Sequence, residues 1–303
     1  MADFTLCIVG CGNLGTSILQ SLLKAPDDGE AIKFDHFIAC VHSPASEQRL
    51  TKQFGQEKES GKLRISRGDN IKAVQDSDIV ILGVDPSDVE ATLKQNGFSH
   101  ALKGKLLISI AAGWTRESLE DLLAPNVTLL SKEERIWVLR TLPNIAAQVS
   151  QSLTAIEAPR ESFPREYMEM ADSIFSQIGK TVHIAPRLMN ATTAVGGSTP
   201  AFFAVICDAL IDAAVAVGVP RAQAQVMIYQ SMKGTAEMLQ SGVHPGVLKD
   251  QGTSAEGCTI GGLMVLEEGG VRGHLGKALR EAVTIARLME SGDENLHVND
   301  TRH

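Results

Sequence analysis

Short apolar runs and helical periodicities take turns along the chain up to about residue 185, and from there to the end only the helical period remains. Thr5 to Val9 is a β-branched, apolar run that leads straight into Gly10-Cys11-Gly12-Asn13-Leu14-Gly15. Ile18, Leu19, Leu22 and Leu23 then recur at the spacing of one helix face. The order strand, glycine turn, helix follows. Runs of the same kind predict strands at Phe37 to Val41, Ile79 to Val84 and Leu106 to Ile110, with helical stretches between them. Trp137 to Leu142, Leu153 to Glu157 and Thr181 to Ile184 read as further strands, and Arg165 to Ile178 as a helix.

Strands alternating with helices imply an α/β fold, a doubly wound, Rossmann-type and mainly parallel sheet with both faces covered. From Asn190 onward the pattern predicts an all-helical domain, punctuated at Gly218-Val219-Pro220, Gly242 to Gly246 and Gly269-Gly270. The expected division is therefore residues 1–186 and 187–303. Thr199-Pro200 is expected as an N-cap followed by proline at the first helical position. The helix it opens is apolar nearly all round, so packing against a second copy is the economical way to cover it, and a homodimer is expected. The longest apolar stretch, Ala201 to Val219, carries Asp208 and Asp212 and reads as a buried soluble helix. The polar tail from Ser291 is expected to fray.

Composition narrows the function classes. A net charge of -8 without a clustered Lys/Arg face argues against nucleic acid and for a small-molecule partner. Five scattered cysteines in largely apolar runs look like reduced thiols, and the opening residues resemble neither a secretory signal nor a transit peptide. A cytoplasmic protein is expected. The eight histidines lack metal-ligand spacing, and the carboxylate pairs Asp27-Asp28 and Glu267-Glu268 read as solvated surface, so no metal is expected.

A glycine triplet of this spacing gains its weight from following a strand and opening a helix. Gly10 permits a tight turn, Gly12 lets the backbone approach a pyrophosphate, Gly15 lets the helix pack on the strand, and Asn13 and Leu14 begin a helix whose dipole favours the phosphates. The second strand ends in His42-Ser43-Pro44 and not in a carboxylate. That, with Arg49 or Lys52 in reach, favours NADPH while leaving NADH possible. Val84-Asp85-Pro86 and Ala111-Ala112-Gly113, at the ends of two other strands, are expected as walls of the same groove.

The helical half contains two polar, glycine-containing segments, Gly196 to Phe202 and Lys249 to Ile260, each ahead of a predicted helix. Backbone N–H groups at such a position suit a carboxylate, and simple capping by Ser198, Thr199 and Thr259 is the plain alternative. At Gly197 to Phe202, Leu248-Lys249-Asp250 and Ser254 to Thr259 the chain resembles the pyrroline-5-carboxylate reductase family over nearly its whole length. The resemblance implies that Ser254, Gly257, Cys258 and Thr259 hold the substrate carboxylate, that Thr259 is the candidate catalytic hydroxyl, and that the partner chain's first domain supplies the cofactor. It also implies that Arg140, Pro143-Asn144 and Ser109 to Gly113 line the cofactor groove.

The chain departs from the family at Asp85-Pro86, at Asn144-Ile145-Ala146, and at Ala255-Glu256-Gly257, where a carboxylate enters a loop meant for an anion. The implied reaction is hydride transfer from NAD(P)H to the C=N bond of a cyclic imine carboxylate, giving proline. A ring-substituted pyrroline, or another cyclic imine of specialised metabolism, is the alternative substrate. A catalytically silent NADP-binding regulatory protein is the alternative of another class. A hydroxyacid dehydrogenase, with Lys233 as its nearest candidate lysine, shares the front fold but not the Ser254 to Thr259 segment. A cyclic imine can arrive already protonated, so no strong general acid is required.

Overall fold

A computed structural model of the chain describes residues 4–24, 34–123, 131 and 134–291. Asp27-Asp28 and the polar tail after Ser291 lie outside the described residues. The chain divides into two compact units, Met1–Gly197 with Val283–His303, and Ser198–Ala282.

The first unit is built on an eight-stranded sheet of β1 (Thr5–Val9), β2 (His36–Val41), β3 (Leu63–Arg67), β4 (Ile79–Leu82), β5 (Leu106–Ser109), β6 (Trp137–Leu142), β7 (Ser152–Glu157) and β8 (Gly179–Ile184). Their spatial order is β3-β2-β1-β4-β5-β6-β7-β8. Every neighbouring pair is parallel except β6 with β7. This is the doubly wound order, in which the chain reverses direction across the sheet between β1 and β4 and leaves a crevice beyond their carboxyl ends.

The sheet is buried on both faces, which is why its inner strands are apolar without interruption. Leu6, Ile8, Ile79, Ile81 and Ile108 face Ile18, Leu19 and Phe175 on one side. Cys7, Val9, Val80, Leu82 and Leu107 face Val74, Leu93 and Phe98 on the other. Truncating one such side chain to alanine typically costs about 2–5 kcal/mol.

Strand β3 was not expected from the sequence. It is an edge strand, and its alternation is masked by Arg64 and Arg67, which leave the sheet to pair with Asp76 at 2.8 Å and Glu47 at 2.6 Å. Other boundaries shift by a residue or two: β4 ends at Leu82 and β5 at Ser109, while the helix expected over Arg165 to Ile178 ends at Ser176.

The second unit holds helices Thr199–Ala216, Arg221–Gln240, Pro245–Gln251 and Cys258–Glu268, and the helix Val271–Ser291 begins in it and ends in the first unit. Two expectations are corrected here. Thr199 is not the N-cap but the first residue of its helix, with Ser198 ahead of it and Pro200 in the first turn, and a π-helical turn at Thr193–Ser198 joins this helix to the preceding turns in one helical run, Pro186–Ala216. The glycine pair Gly196-Gly197 is absorbed as a widened turn and not as a break. Nor is the following helix buried: in Thr199–Ala216 only Cys207 and Ile211 are, while Val205 is 70% exposed. A domain of this size has too few elements to enclose a helix apolar on all sides.

Candidate functional site

The glycine turn sits at the reversal point of the sheet. Gly10 has φ +91°, and a Cβ there would lie 2.4 Å from the backbone nitrogen of Val84, the second residue after β4. Only glycine lets the two strand ends meet so closely. A Cβ on Gly15 would lie 2.9 Å from the Gly10 carbonyl, so this glycine sets the depth of the first helix, α1 (Asn13–Leu23), on the sheet. Gly12 differs, since nothing lies within 4 Å of where its Cβ would be.

That open space faces a helix end without a cap. Gly12 occupies the N-cap position of α1, no side chain caps it, and the first turn carries no acidic residue. The N–H groups of Asn13, Leu14 and Gly15 therefore point out of the helix with its positive dipole end behind them. A dinucleotide pyrophosphate fits this end in charge and in space.

Beside it lies a cavity of about 400 Å³ whose walls include Gly10, Val41, His42, Asn70, Val84 and Gln95. Its size suits a nucleoside moiety. Asn70 and Gln95 were missed from the sequence because the strand that precedes Asn70, β3, was missed; the Gly68-Asp69-Asn70 punctuation was the available signal. Ser43 caps the second helix, α2 (Pro44–Gln53), by accepting from the Ser46 N–H, and its hydroxyl donates to Ser46 Oγ. Arg49, expected near a ribose phosphate, instead donates to the Cys11 carbonyl at 3.1 Å and to Thr16 Oγ1 at 3.2 Å.

The other expected walls follow the next strands. Asp85 caps the turn Pro86–Asp88, accepting from the Ser87 hydroxyl at 2.8 Å and the Ser87 N–H at 3.1 Å. Those two bonds, the hydroxyl first, hold its carboxyl below the usual range. Trp114 Nε1 donates to the Pro86 carbonyl at 2.8 Å and fastens this loop to the one after β5. There, Ala111 N–H donates to Ser109 Oγ, Ala112 follows, and Gly113 has φ +77°. Asn144, after β6, is committed elsewhere: its Oδ1 accepts from Ala146 and its Nδ2 donates to the Gly196 carbonyl at 2.8 Å. Arg140 does not line a groove. It is buried, 3% exposed, and meets Asn190 Oδ1 at 3.3 Å and Glu290 Oε2 at 3.8 Å.

In the second unit, Gly257 N–H donates to the Ser254 carbonyl, closing a turn with Glu256 at φ +58°. A Cβ on Gly257 would lie 2.5 Å from Ser254 Oγ, so a larger residue there would have to displace the Ser254 hydroxyl. Helix Cys258–Glu268 then starts without a side-chain cap, which leaves the simple capping role of Thr259 unfilled. Ser254, Cys258 and Thr259 are all exposed. Lys233 lies on the helix Arg221–Gln240, exposed and 3.8 Å from Glu237.

Fold and turn together define a dinucleotide-binding type of α/β protein joined to a helical unit. Family comparison extends this. Residues 186–289 match the family described as pyrroline-5-carboxylate reductase dimerisation, and residues 5–113 match NADP oxidoreductase coenzyme F420-dependent. A pyrroline-5-carboxylate reductase of Lophium arboricola is 39% identical over 99% of this chain and 97% of the relative. One of Neurospora crassa is 36% identical over 100% of this chain and 97% of its own length. In fold, the chain is similar to a Plasmodium falciparum pyrroline carboxylate reductase solved with NADP bound, with a TM-score of 0.78 at 23% identity, covering 96% of this chain and 99% of that one. The chain belongs to the pyrroline-5-carboxylate reductase family.

Proposed function

We infer that the protein reduces the C=N bond of pyrroline-5-carboxylate, giving proline, with NADPH as the preferred hydride donor and NADH as an alternative. One observation carries this reading, the 39% identity to a pyrroline-5-carboxylate reductase over 99% of the chain. Bound in the groove of the first unit, the reduced nicotinamide supplies the hydride that the imine carbon accepts. Gly10, Gly12 and Gly15, with the N–H groups of Asn13 and Leu14, hold the pyrophosphate. His42 and Ser43 take the adenosine ribose; the hydroxyl at the α2 N-terminus suits a 2′-phosphate. Val84, Asp85, Pro86, Ala111, Ala112 and Gly113 form the nicotinamide side, and Asn144, its amide already bonded within the chain, borders it through its backbone only.

Ser254, Gly257, Cys258 and Thr259 take the substrate carboxylate at the uncapped helix N-terminus, and the Thr259 hydroxyl orients the ring nitrogen. That nitrogen arrives protonated, so these residues position and need not ionise. The functional division of the chain is placed at residue 187. The chain works as a homodimer through its helical half, supported by the dimerisation family match and by the exposed apolar side chains Val205, Leu210 and Val265.

The helical run Pro186–Ala216 is long and apolar enough to cross a membrane. Asp208 and Asp212 within it favour a covered helix in a cytoplasmic protein.

The test is consumption of NADPH by the purified protein on addition of pyrroline-5-carboxylate, repeated with NADH. Turnover with proline as product is expected, and Thr259→Val should raise KM by about tenfold through loss of one hydrogen bond. Binding of NADPH without turnover would overturn the reading.

A further inference from the structure

The Arg49 guanidinium lies on the glycine turn, where the sequence had suggested a role toward ribose phosphate. One amino group donates to the carbonyl of Cys11, at 3.1 Å, and the other to the hydroxyl of Thr16, at 3.2 Å. Thr16 is buried, 6% exposed, and its hydroxyl donates a hydrogen bond to the carbonyl of Gly12, which also accepts the Thr16 backbone N–H at 2.9 Å. Arg49 thus grips one carbonyl of the turn directly and the next through a buried hydroxyl.

Each grip fixes a peptide plane. In a trans peptide the C=O and the following N–H point in opposite directions. Holding the Gly12 carbonyl inward therefore holds the Asn13 N–H outward, at the uncapped end of α1. Gly12 has open space around it and no Cβ to restrict it, so its orientation rests on the Thr16 backbone N–H together with the Thr16 hydroxyl that Arg49 holds. The arginine fork is suited to the task, since its planar donors reach two acceptors at fixed separation. It also ties α2, which starts beside His42 and Ser43, to the turn after β1.

We propose that Arg49 is a positioning residue for the dinucleotide pyrophosphate, acting through the Cys11 and Gly12 carbonyls, and is indifferent to the ribose 2′-phosphate. The proposal rests on the reading of the glycine turn as a dinucleotide site. Its signature is a parallel loss of both cofactors. A direct phosphate ligand would instead set NADPH apart from NADH.

The experiment measures Kd for NADPH and for NADH by nicotinamide fluorescence on the full-length protein and on Arg49→Ala, Arg49→Lys and Thr16→Val, with kcat at saturating cofactor. Arg49→Ala should weaken both cofactors by the same factor, about tenfold for a charge-assisted hydrogen bond, with kcat nearly unchanged. Arg49→Lys, with one point donor, should recover part of the loss for both, and Thr16→Val should reproduce it in smaller measure. Loss confined to NADPH would make Arg49 a 2′-phosphate ligand and overturn the proposal, as would unchanged affinity for both. If the Ala variant does not fold, the Lys and Val variants carry the same comparison. Failure of the unsubstituted protein to bind either cofactor would remove the dinucleotide reading itself, a result distinct from any pattern among the variants.

Discussion

Arg116 Nη1 lies 3.1 Å from Glu157 Oε1, and both side chains are almost wholly withdrawn from water, at 8% and 3% exposure. Burial pushes the Glu157 carboxyl up, against the pull of Arg116 and then Arg140. The pair joins the helix that follows the Ala111 to Gly113 loop to the end of β7, so it braces the first unit beneath the expected cofactor walls. Arg116→Met strands a buried carboxylate and should cost about 3 kcal/mol in urea unfolding. Arg116→Met with Glu157→Met should recover most of that. An additive double variant would mean that the two groups do not couple.

Glu117 gives the acid limb of stability. Burial pushes its carboxyl up, but donation from Arg116 and Arg160 outweighs this and brings it down to about 2. A depressed folded value means that the contribution is complete above the ordinary carboxylate value of 4.5 and is lost as pH falls from there toward 2. The side chain is 56% exposed, so salt should shrink the effect. Thermal melts between these pH values should fall less steeply for Glu117→Gln, and an unchanged slope would show that the carboxylate contributes nothing there.

The glycine turn separates two roles that the sequence motif runs together. Gly10→Ala places a methyl group 2.4 Å from the Val84 nitrogen at φ +91°, so the variant should lose stability whether or not cofactor is present. Gly12→Ala meets nothing within 4 Å, so its melting temperature should hold while its KM for NADPH rises by about tenfold or more, the methyl occupying space meant for phosphate. A destabilised Gly12→Ala, or one with unchanged KM, would remove Gly12 from the binding surface.

How much of this was legible in the sequence follows from where each element's partners lie. Strands β1, β4 and β5 were readable because burial on both faces makes all but one end residue of β1 and β5, and all of β4, apolar. Strand β3 was hidden because at the sheet edge Arg64 and Arg67 interrupt the pattern. The turn at Gly10 to Gly15 was readable because its chemistry is local. The burial of Arg140 was not, because Asn190 and Glu290 reach it from distant parts of the chain. Gly196-Gly197 read as part of a polar segment ahead of a helix, and the π-helical turn that the backbone forms there, with its Gly196 carbonyl bonded by Asn144, was not legible because that partner lies far away in the chain.

Glu256 stands at φ +58° in the turn that opens helix Cys258–Glu268. A side chain in the left-handed region costs about 1 kcal/mol relative to glycine. Glu256→Gly should therefore raise stability slightly, and it should also lower KM for an anionic substrate by removing a like charge. Glu256→Gln separates the two effects, keeping the strain and removing the charge. Equal KM for Gln and wild type, with a lower value for Gly, would assign the whole effect to the backbone.

The exposed apolar face of the helix Thr199–Ala216 makes oligomeric state the most direct check on the helical unit. Val205 at 70% and Leu210 at 49% exposure stand on a helix whose only acidic residues are Asp208 and Asp212. Asp212 is held by Arg221 at 2.6 Å, so the charge nearest the helix end is already paired within the chain. If a second copy covers this face, Val205→Glu buries a carboxylate without a partner and should shift the protein from dimer to monomer in light scattering. The isolated first unit does not depend on that contact for its sheet, so NADPH binding should survive in the monomer while turnover falls. A dimer unaffected by Val205→Glu would place the interface elsewhere on the helical unit.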